Sequence, residues 1–368
     1  GDLTNMETSY IFKEFFDRTL DIKNYESRSD NRFIDINKRE NYLFNSSING
    51  IEESDLIFLI GTNPRYEATI LNARIRKSFL NNNTKVISLN DLGDLTFPYE
   101  SLDGQTQTLK DIFEDNNEIS KKIIAADKPM IILGESLLNL KSSKYFFNII
   151  KEFLVSNDKI NDDWNSFNIL SSDAATVGNF DLGLVNEDNN LLEDLQNHKF
   201  DIIYLVGQDN LNFDKKDEFI IYQGSHGDKG AEMADIILPG SAYTEQDGFF
   251  TNLEGNLQKA YKASYPPGDA KEDWQIVNEL AEVMNNRKLF NDKDELESSM
   301  INYLNLQKEK QNSLVDQNKN ISTDDFINEA LTVSVKDYYF SNVIARSSKT
   351  MVECNNSKLN LKPTGTEG

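Results

Sequence analysis

Soft metal donors are scarce in this chain: its 368 residues include one Cys and two His. An iron-sulfur cluster takes about four thiolates and a structural zinc about four Cys or His ligands, so these residues alone build neither. A single thiol, Cys354, also excludes an internal disulfide, which fits a reducing compartment. Positive charge is thin as well, because 38 Lys and Arg against 61 Asp and Glu leave a formal net charge of -23. A phosphodiester backbone would meet net repulsion, so no nucleic-acid partner is expected. No stretch of about 18 uninterrupted apolar residues occurs, and no helical membrane span is expected. The first ten residues carry Asp2 and Glu7 and no Arg, unlike a secretory or organellar leader; any presequence is expected to be already gone or never present. What remains, 38% hydrophobic residues over this length, suffices for a sizeable core.

Met6, Ile11, Phe12, Phe15, Phe16 and Leu20 recur at helical spacing with Glu14, Asp17 and Arg18 between them, which predicts an amphipathic opening helix. Residues 21–54 are polar and predict only short elements. Beyond them, short runs that are apolar almost throughout end in Gly, Asn or Asp: 55–60, 85–89, 129–133, 167–170, 201–206, 218–222 and 234–238. Such runs, separated by longer mixed stretches, are what a sheet covered on both faces by helices requires. The expected fold class is therefore α/β, doubly wound, with mainly parallel sheets. Residues 54–61 and 200–207 share an outline of Asp, five apolar residues and Gly, which predicts two Rossmann-like halves.

Pro266-Pro267-Gly268 punctuates the chain, and Asp269 is placed to cap a helix through about Met284 whose apolar face is Trp274, Ile276, Val277, Leu280 and Val283. Residues 285–325 predict helix or partly ordered linker, Val333–Tyr339 a strand or helix start, and the residues from Asn356 a flexible tail. The expected division is a helix and polar lead-in over 1–54, an α/β domain over 55–284 with halves of about 55–155 and 160–245, and a polar helical or linker region over 285–368.

In an open α/β sheet the ligand site lies beyond the carboxyl ends of the strands. That singles out Gly61-Thr62-Asn63-Pro64, Gly134-Glu135-Ser136, Gly207-Gln208-Asp209-Asn210 and Gly224-Ser225-His226-Gly227-Asp228, four loops expected to converge. Glycine lets backbone N–H groups approach a phosphate, and a following helix offers its positive end. Here Glu67, Glu135, Asp209 and Asp228 stand in those turns and weigh against a tightly held pyrophosphate, although Arg65 or Lys229 could offset part of their charge. Neither GxGxxG nor GxxxxGK[ST] is present. Ordinary strand-end turns are the expected reading.

Ser225, His226 and Asp228 are the residue types of a hydrolytic triad, yet neighbours in one turn rarely align nucleophile, base and orienter, so a loop motif is expected. Ser136 lacks the second Gly of a nucleophile elbow and reads as a helix cap. His198 is expected at the surface, and Glu245 with Asp247 in a solvated turn rather than as paired acids. Arg65, Arg74, Arg76 and Lys77, set among Ile70, Leu71, Ile75 and Phe79, describe a helix with one apolar and one basic face. That face holds internal ion pairs or docks an acidic segment.

Ile60-Gly-Thr-Asn-Pro-Arg-Tyr-Glu-Ala-Thr-Ile-Leu-Asn-Ala-Arg-Ile-Arg-Lys77 closely resembles a signature of the large iron-sulfur subunit of respiratory complex I, the NADH:quinone oxidoreductase, in its molybdopterin-oxidoreductase-like region. Further matches follow in the family's order: Ile221-Tyr-Gln-Gly-Ser-His-Gly-Asp228, Ala234-Asp-Ile-Ile-Leu-Pro-Gly-Ser-Ala-Tyr-Thr-Glu245, Asn252-Leu-Glu-Gly-Asn-Leu-Gln258, Pro266-Pro-Gly268 with Lys271-Glu-Asp-Trp274, and Val335-Lys-Asp-Tyr-Tyr339 with Ala345-Arg-Ser-Ser-Lys-Thr-Met351. The resemblance covers almost the whole chain. It implies a cofactor-free α/β domain of the peripheral arm, descended from the molybdenum-binding domain of formate-dehydrogenase-like enzymes. By the resemblance, Gly61, Asn63, Pro64, Gly134, Gly240, Glu254 and Gly255 match pterin-site positions of active relatives and are expected to be vestigial here, with no catalytic residue and no metal.

Two departures bear on that reading. The family's Cys-rich ferredoxin-like part has no counterpart here, so a separate iron-sulfur chain is expected to supply the clusters, as a partner alongside other peripheral-arm subunits. Asn256 stands where the pattern Glu-Gly-Arg-x-Gln carries Arg, which removes a guanidinium suited to phosphate or pterin. Cys354, near the tail, reads as a buried or incidental residue rather than a ligand. The expected role is a structural scaffold within an assembly that oxidises NADH, reduces a quinone and pumps protons. The rivals are an active molybdopterin oxidoreductase and a nucleotide-sensing regulator that uses the loops after Gly61 and Gly207. Roughly one residue in eight is Asn, well above ordinary usage. Together with a subunit expected to be divided, either by a gene split into two polypeptides or as a mature fragment, that suits a mitochondrial genome and predicts the matrix side of the inner membrane.

Overall fold

Strand β1, Leu56–Ile60, is buried at every position because its two faces meet two different helix layers. Leu56, Phe58 and Ile60 pack with Leu109, Ile112, Ile123, Phe146 and Ile150 on one side; Ile57 and Leu59 pack with Ile51, Leu71 and Ile75 on the other. Strands β2 (Lys85–Ser88), β3 (Glu100–Ser101), β4 (Pro129–Gly134) and β5 (Phe167–Leu170) complete a five-stranded, all-parallel sheet in the order β3-β2-β1-β4-β5. Helices Thr69–Asn82, Thr106–Glu114, Glu118–Ala125 and Ser143–Ser156 make the crossovers, and the sheet is doubly wound as the continuous apolar runs predict. This computed structural model describes residues 1–115, 117–186, 191–209, 211–313 and 325–359.

A second parallel sheet holds β6 (Ile202–Val206), β7 (Phe219–Gly224) and β8 (Ile236–Pro239) in sequential order. One face packs Ile203, Leu205, Ile220 and Tyr222 against Leu195 and Phe213, while Tyr204 and Val206 on the other meet the opening helix. An antiparallel hairpin, β9 (Gly248–Thr251) with β10 (Leu257–Ala260), follows. The run 167–170, which the expected division assigned to the second half, is hydrogen-bonded to β4 from Ile131↔Phe167 to Gly134↔Leu170. The first sheet therefore reaches past residue 160.

The opening helix, Met6–Phe15, is not amphipathic in its surroundings: every residue except Glu14 is buried. It lies between helices Asp273–Asn285 and Lys293–Ser313, the segment Thr176–Asp181 and β9, which leaves no face for solvent. Its last turn widens into a π-helical turn, Phe16–Leu20. Helix Asp273–Asn285 begins after Glu272, so Asp269 is not its cap; the interval to the helix is taken up by an extended link whose Lys271 N–H bonds to Pro239 O. Residues 293–313 form one helix, while 314–324 lie outside the described residues. Val333–Asp337 is irregular and leads into a single 3-10 turn, Tyr338–Phe340. Asn356–Leu359 belongs to the final helix, Lys349–Leu359, and the rest of the expected tail lies outside the described residues. Cys354 on that helix is exposed, not buried.

Candidate functional site

The carboxyl ends of β1 and β4 interlock. Gly61 has φ +69, and a Cβ there would overlap Leu137, while a Cβ on Gly134 would overlap the Gly61 carbonyl oxygen. Only glycine lets the two turns pass this closely. Asn63 caps the helix Pro64–Glu67 by accepting from the Arg65 N–H, and its side-chain amide donates to Leu92 O at 3.2 Å. Gly61, Asn63, Pro64 and Gly134 are thus brought together.

Three donors that could hold an anion at this end, the Asn63 N–H, the Thr62 hydroxyl and the Arg32 guanidinium, are already used. Glu67 accepts from the Asn63 N–H and, at 2.6 Å, from the Thr62 hydroxyl; burial holds its pKa above the usual carboxylate range. Glu135 is paired with Arg32 and also accepts from the Ser172 N–H at 3.0 Å. Arg32, itself buried, is shared with Asp30 at 2.6 Å. Ser136 is not a helix cap, since Gly134 occupies the cap position and the Ser136 hydroxyl accepts from the Ser334 N–H at 3.0 Å.

The other matched positions lie elsewhere. Gly240 follows β8, and a Cβ on it would meet the Asp273 carboxylate, a fully buried group whose pKa is raised by that burial and which accepts from Gln223 and Gln246. Glu254 and Gly255 sit in the β9–β10 turn: Glu254 accepts from the Ile48 N–H at 2.8 Å, and Gly255 O accepts from Arg39, whose guanidinium also grips Asp181 through two contacts. The seven positions therefore occupy three places. At the second sheet's end, a cleft of about 60 Å³ is lined by Asp209, Tyr222, Ser225, Asp273 and Arg346, among others. Asp209, its pKa raised by burial, accepts from the Tyr222 hydroxyl at 2.6 Å. Asn210 lies outside the described residues.

No triad forms in the Gly224–Asp228 turn. Ser225 Oγ meets His226 Nδ1 at 2.9 Å, but Asp228 is paired with Arg346 at 2.5 Å and caps the next helix through the Lys229 N–H. His198 is partly covered, with Nδ1 at 2.5 Å from Glu218. Glu245 and Asp247 accept from the backbone N–H groups of Ala242 and Lys262, as turn residues do. The expected single basic helix is broken at Ala68: Arg74 and Lys77 on Thr69–Asn82 both reach Glu52, and Arg65 on the separate helix Pro64–Glu67 reaches Asp94, which is the internal-pair reading. The cations that answer the crevice carboxylates, Arg32, Lys336 and Arg346, carry no local signal of that role in the sequence, although the last two stand inside the quoted strings 335–339 and 345–351.

Residues 1–283 match the family model for molybdopterin oxidoreductases. The chain belongs to that family. Residues 302–354 match a second model, which describes the C-terminal part of an NADH-ubiquinone oxidoreductase subunit. Among curated relatives, the NADH-ubiquinone oxidoreductase 75 kDa subunit of Reclinomonas americana is 34% identical over 373 residues, covering 96% of this chain and 54% of the relative. The mitochondrial 78 kDa subunit of Candida albicans is 38% identical, covering 86% of this chain and 45% of the relative. An NADH-quinone oxidoreductase subunit of Rickettsia bellii is 35% identical, covering 99% of this chain and 53% of the relative. The chain spans about half the length of the curated relatives it matches.

A molybdenum-pterin group does not suit the donors at these strand ends. Its phosphate needs free N–H groups and cations, whereas the Asn63 N–H is held by Glu67 and Arg32 by Glu135 and Asp30. Among the described residues no three His, Cys, Asp or Glu side chains are grouped to hold a metal.

Proposed function

We propose that this chain is a structural, cofactor-free domain of the peripheral arm of a proton-translocating NADH:quinone oxidoreductase. It packs beside a separate Cys-rich chain that carries the iron-sulfur clusters, and contributes shape and contact surface rather than electrons. The observation that carries the reading is the chemistry of the crevice: Glu135, Asp173 and Asp228 are paired with Arg32, Lys336 and Arg346, and Glu67, Asp209 and Asp273 are taken up by neighbouring N–H, hydroxyl and amide donors, which leaves little that could grip a phosphate or a metal. The similarity to 75 and 78 kDa subunits over most of the chain supports the assembly, and the mitochondrial relative together with the Asn-rich composition supports the matrix side of the inner membrane. No helix among the described residues is long and apolar enough to cross a membrane; the attachment proposed here is through partner subunits.

The test is native purification through a tag on this chain, with mass spectrometry of the assembly and elemental analysis. Recovery with a Cys-rich companion and other arm subunits, iron in the companion and no stoichiometric molybdenum or tungsten is the expected result. A chain recovered alone with a bound pterin would replace this reading with that of an active molybdopterin oxidoreductase.

A further inference from the structure

The segment Leu331–Arg346 crosses the carboxyl ends of the parallel sheets, where a doubly wound fold binds its ligand. It visits them in spatial order. Leu331, buried in the core, donates its N–H to Gly104 O at 2.8 Å and accepts from the Asn90 side chain at 2.6 Å, just beyond β2. The next residues run past Asn63 beyond β1, and Ser334 donates to Ser136 Oγ beyond β4. Lys336 then reaches Asp173, beyond β5, at 2.6 Å, with Asp2 at 3.7 Å. Arg346 closes the path at Asp228, beyond β7 of the second sheet, at 2.5 Å.

We propose that this crevice is a binding site for a peptide segment with two spaced cations, and that residues 331–346, irregular through Asp337 and then turning through Tyr338–Phe340 into the short helix Val343–Ser347, are its built-in ligand, with Lys336 and Arg346 seated where the family's fold would take an anionic cofactor. The charge pattern follows. Asp2, Asp173 and Asp228 repel a phosphate, and each faces a strap cation. Lys336 and Arg346 fall within the stretch that matches the NADH-ubiquinone oxidoreductase C-terminal model rather than the molybdopterin one, so the filling segment is the part that sets this chain apart from cofactor-binding members of the fold. The inference is independent of the role in respiration.

Hydrogen exchange on the full chain tests it. Charge-assisted contacts each shift an opening equilibrium several-fold, so a Lys336→Ala, Arg346→Ala double variant is expected to exchange residues 333–346 about ten- to a hundredfold faster. Helix Ser143–Ser156 should keep its protection, which separates strap release from unfolding. A labelled peptide spanning residues 331–348 should bind the double variant, and the same peptide with Glu at both basic positions should not. Exchange pairing Lys336→Asp with Asp173→Lys should restore protection relative to Lys336→Asp alone. Unchanged exchange in the double variant, or equal binding of the two peptides, would overturn the proposal.

Discussion

At the scale of single residues, Glu7 is a buried carboxylate with little to offset its charge. It is 1% exposed on the buried opening helix, with one oxygen accepting from the Phe249 N–H at 2.8 Å and the other without a partner among the described residues. Burial dominates and pushes its pKa up to about 7, against the pull of the Phe249 N–H, its own N–H and Lys293, with Glu297 adding to the rise. Because the folded value lies above the unfolded one, the stability contributed by the neutral form is complete below about pH 4.5 and is lost as pH rises through about 7. Glu7→Gln keeps an acceptor for Phe249 and removes the charge. It should be more stable than the parent at pH 8 by up to about 3 kcal/mol, with the gap closing toward pH 4.5. Urea unfolding at the two pH values reads this, and a variant no more stable than the parent at pH 8 would show that Glu7 is comfortable as an anion.

At the scale of elements, helix Glu118–Ala125 shows how a short segment is held by its first turn. Asn117 accepts from the Ile119 and Ser120 N–H groups at 2.9 and 3.1 Å, and the helix then seats Ile119 and Ile123 in the core. Asn117→Ala should cost about 1 kcal/mol and speed exchange in that first turn. A loss confined to distant helices would count against the cap. The apolar runs are legible as strands because burial on both faces leaves no polar alternation, and Leu56–Ile60 needs no tertiary knowledge to read. Which sheet Phe167–Leu170 joins is not legible, since its partner β4 lies more than thirty residues upstream and pairing is a non-local choice. The opening helix is only partly legible: Glu14, Asp17 and Arg18 are its less buried positions as the spacing predicts, but Glu7 and Lys13 are buried as well, by the helices arriving from residues 273 and 293. The crevice carboxylates are visible in the loops, but Arg32, Lys336 and Arg346 come from distant parts of the chain.

At the scale of the whole molecule, the net charge of -23 sets a competition between specific pairs and general repulsion. Several surface pairs, such as Lys121 with Glu118 or Lys271 with Glu279, are well exposed. Such pairs contribute about 0–1 kcal/mol each and weaken in salt. Opposing them, each pair of like charges about 20 Å apart in water costs about 0.2 kcal/mol, and a large uncompensated excess repeats that small term many times. Folding draws those charges together, so the repulsion falls mainly on the native state. At about 0.15 M salt the Debye length is about 8 Å, which removes the long-range repulsion more completely than the contacts at hydrogen-bond distance. Thermal melts in rising sodium chloride should therefore move upward by several degrees from very low salt to physiological strength, then level off. A fall over the same range would mean that the ion pairs, including the strap contacts at Asp173 and Asp228, outweigh the excess charge in holding the chain together.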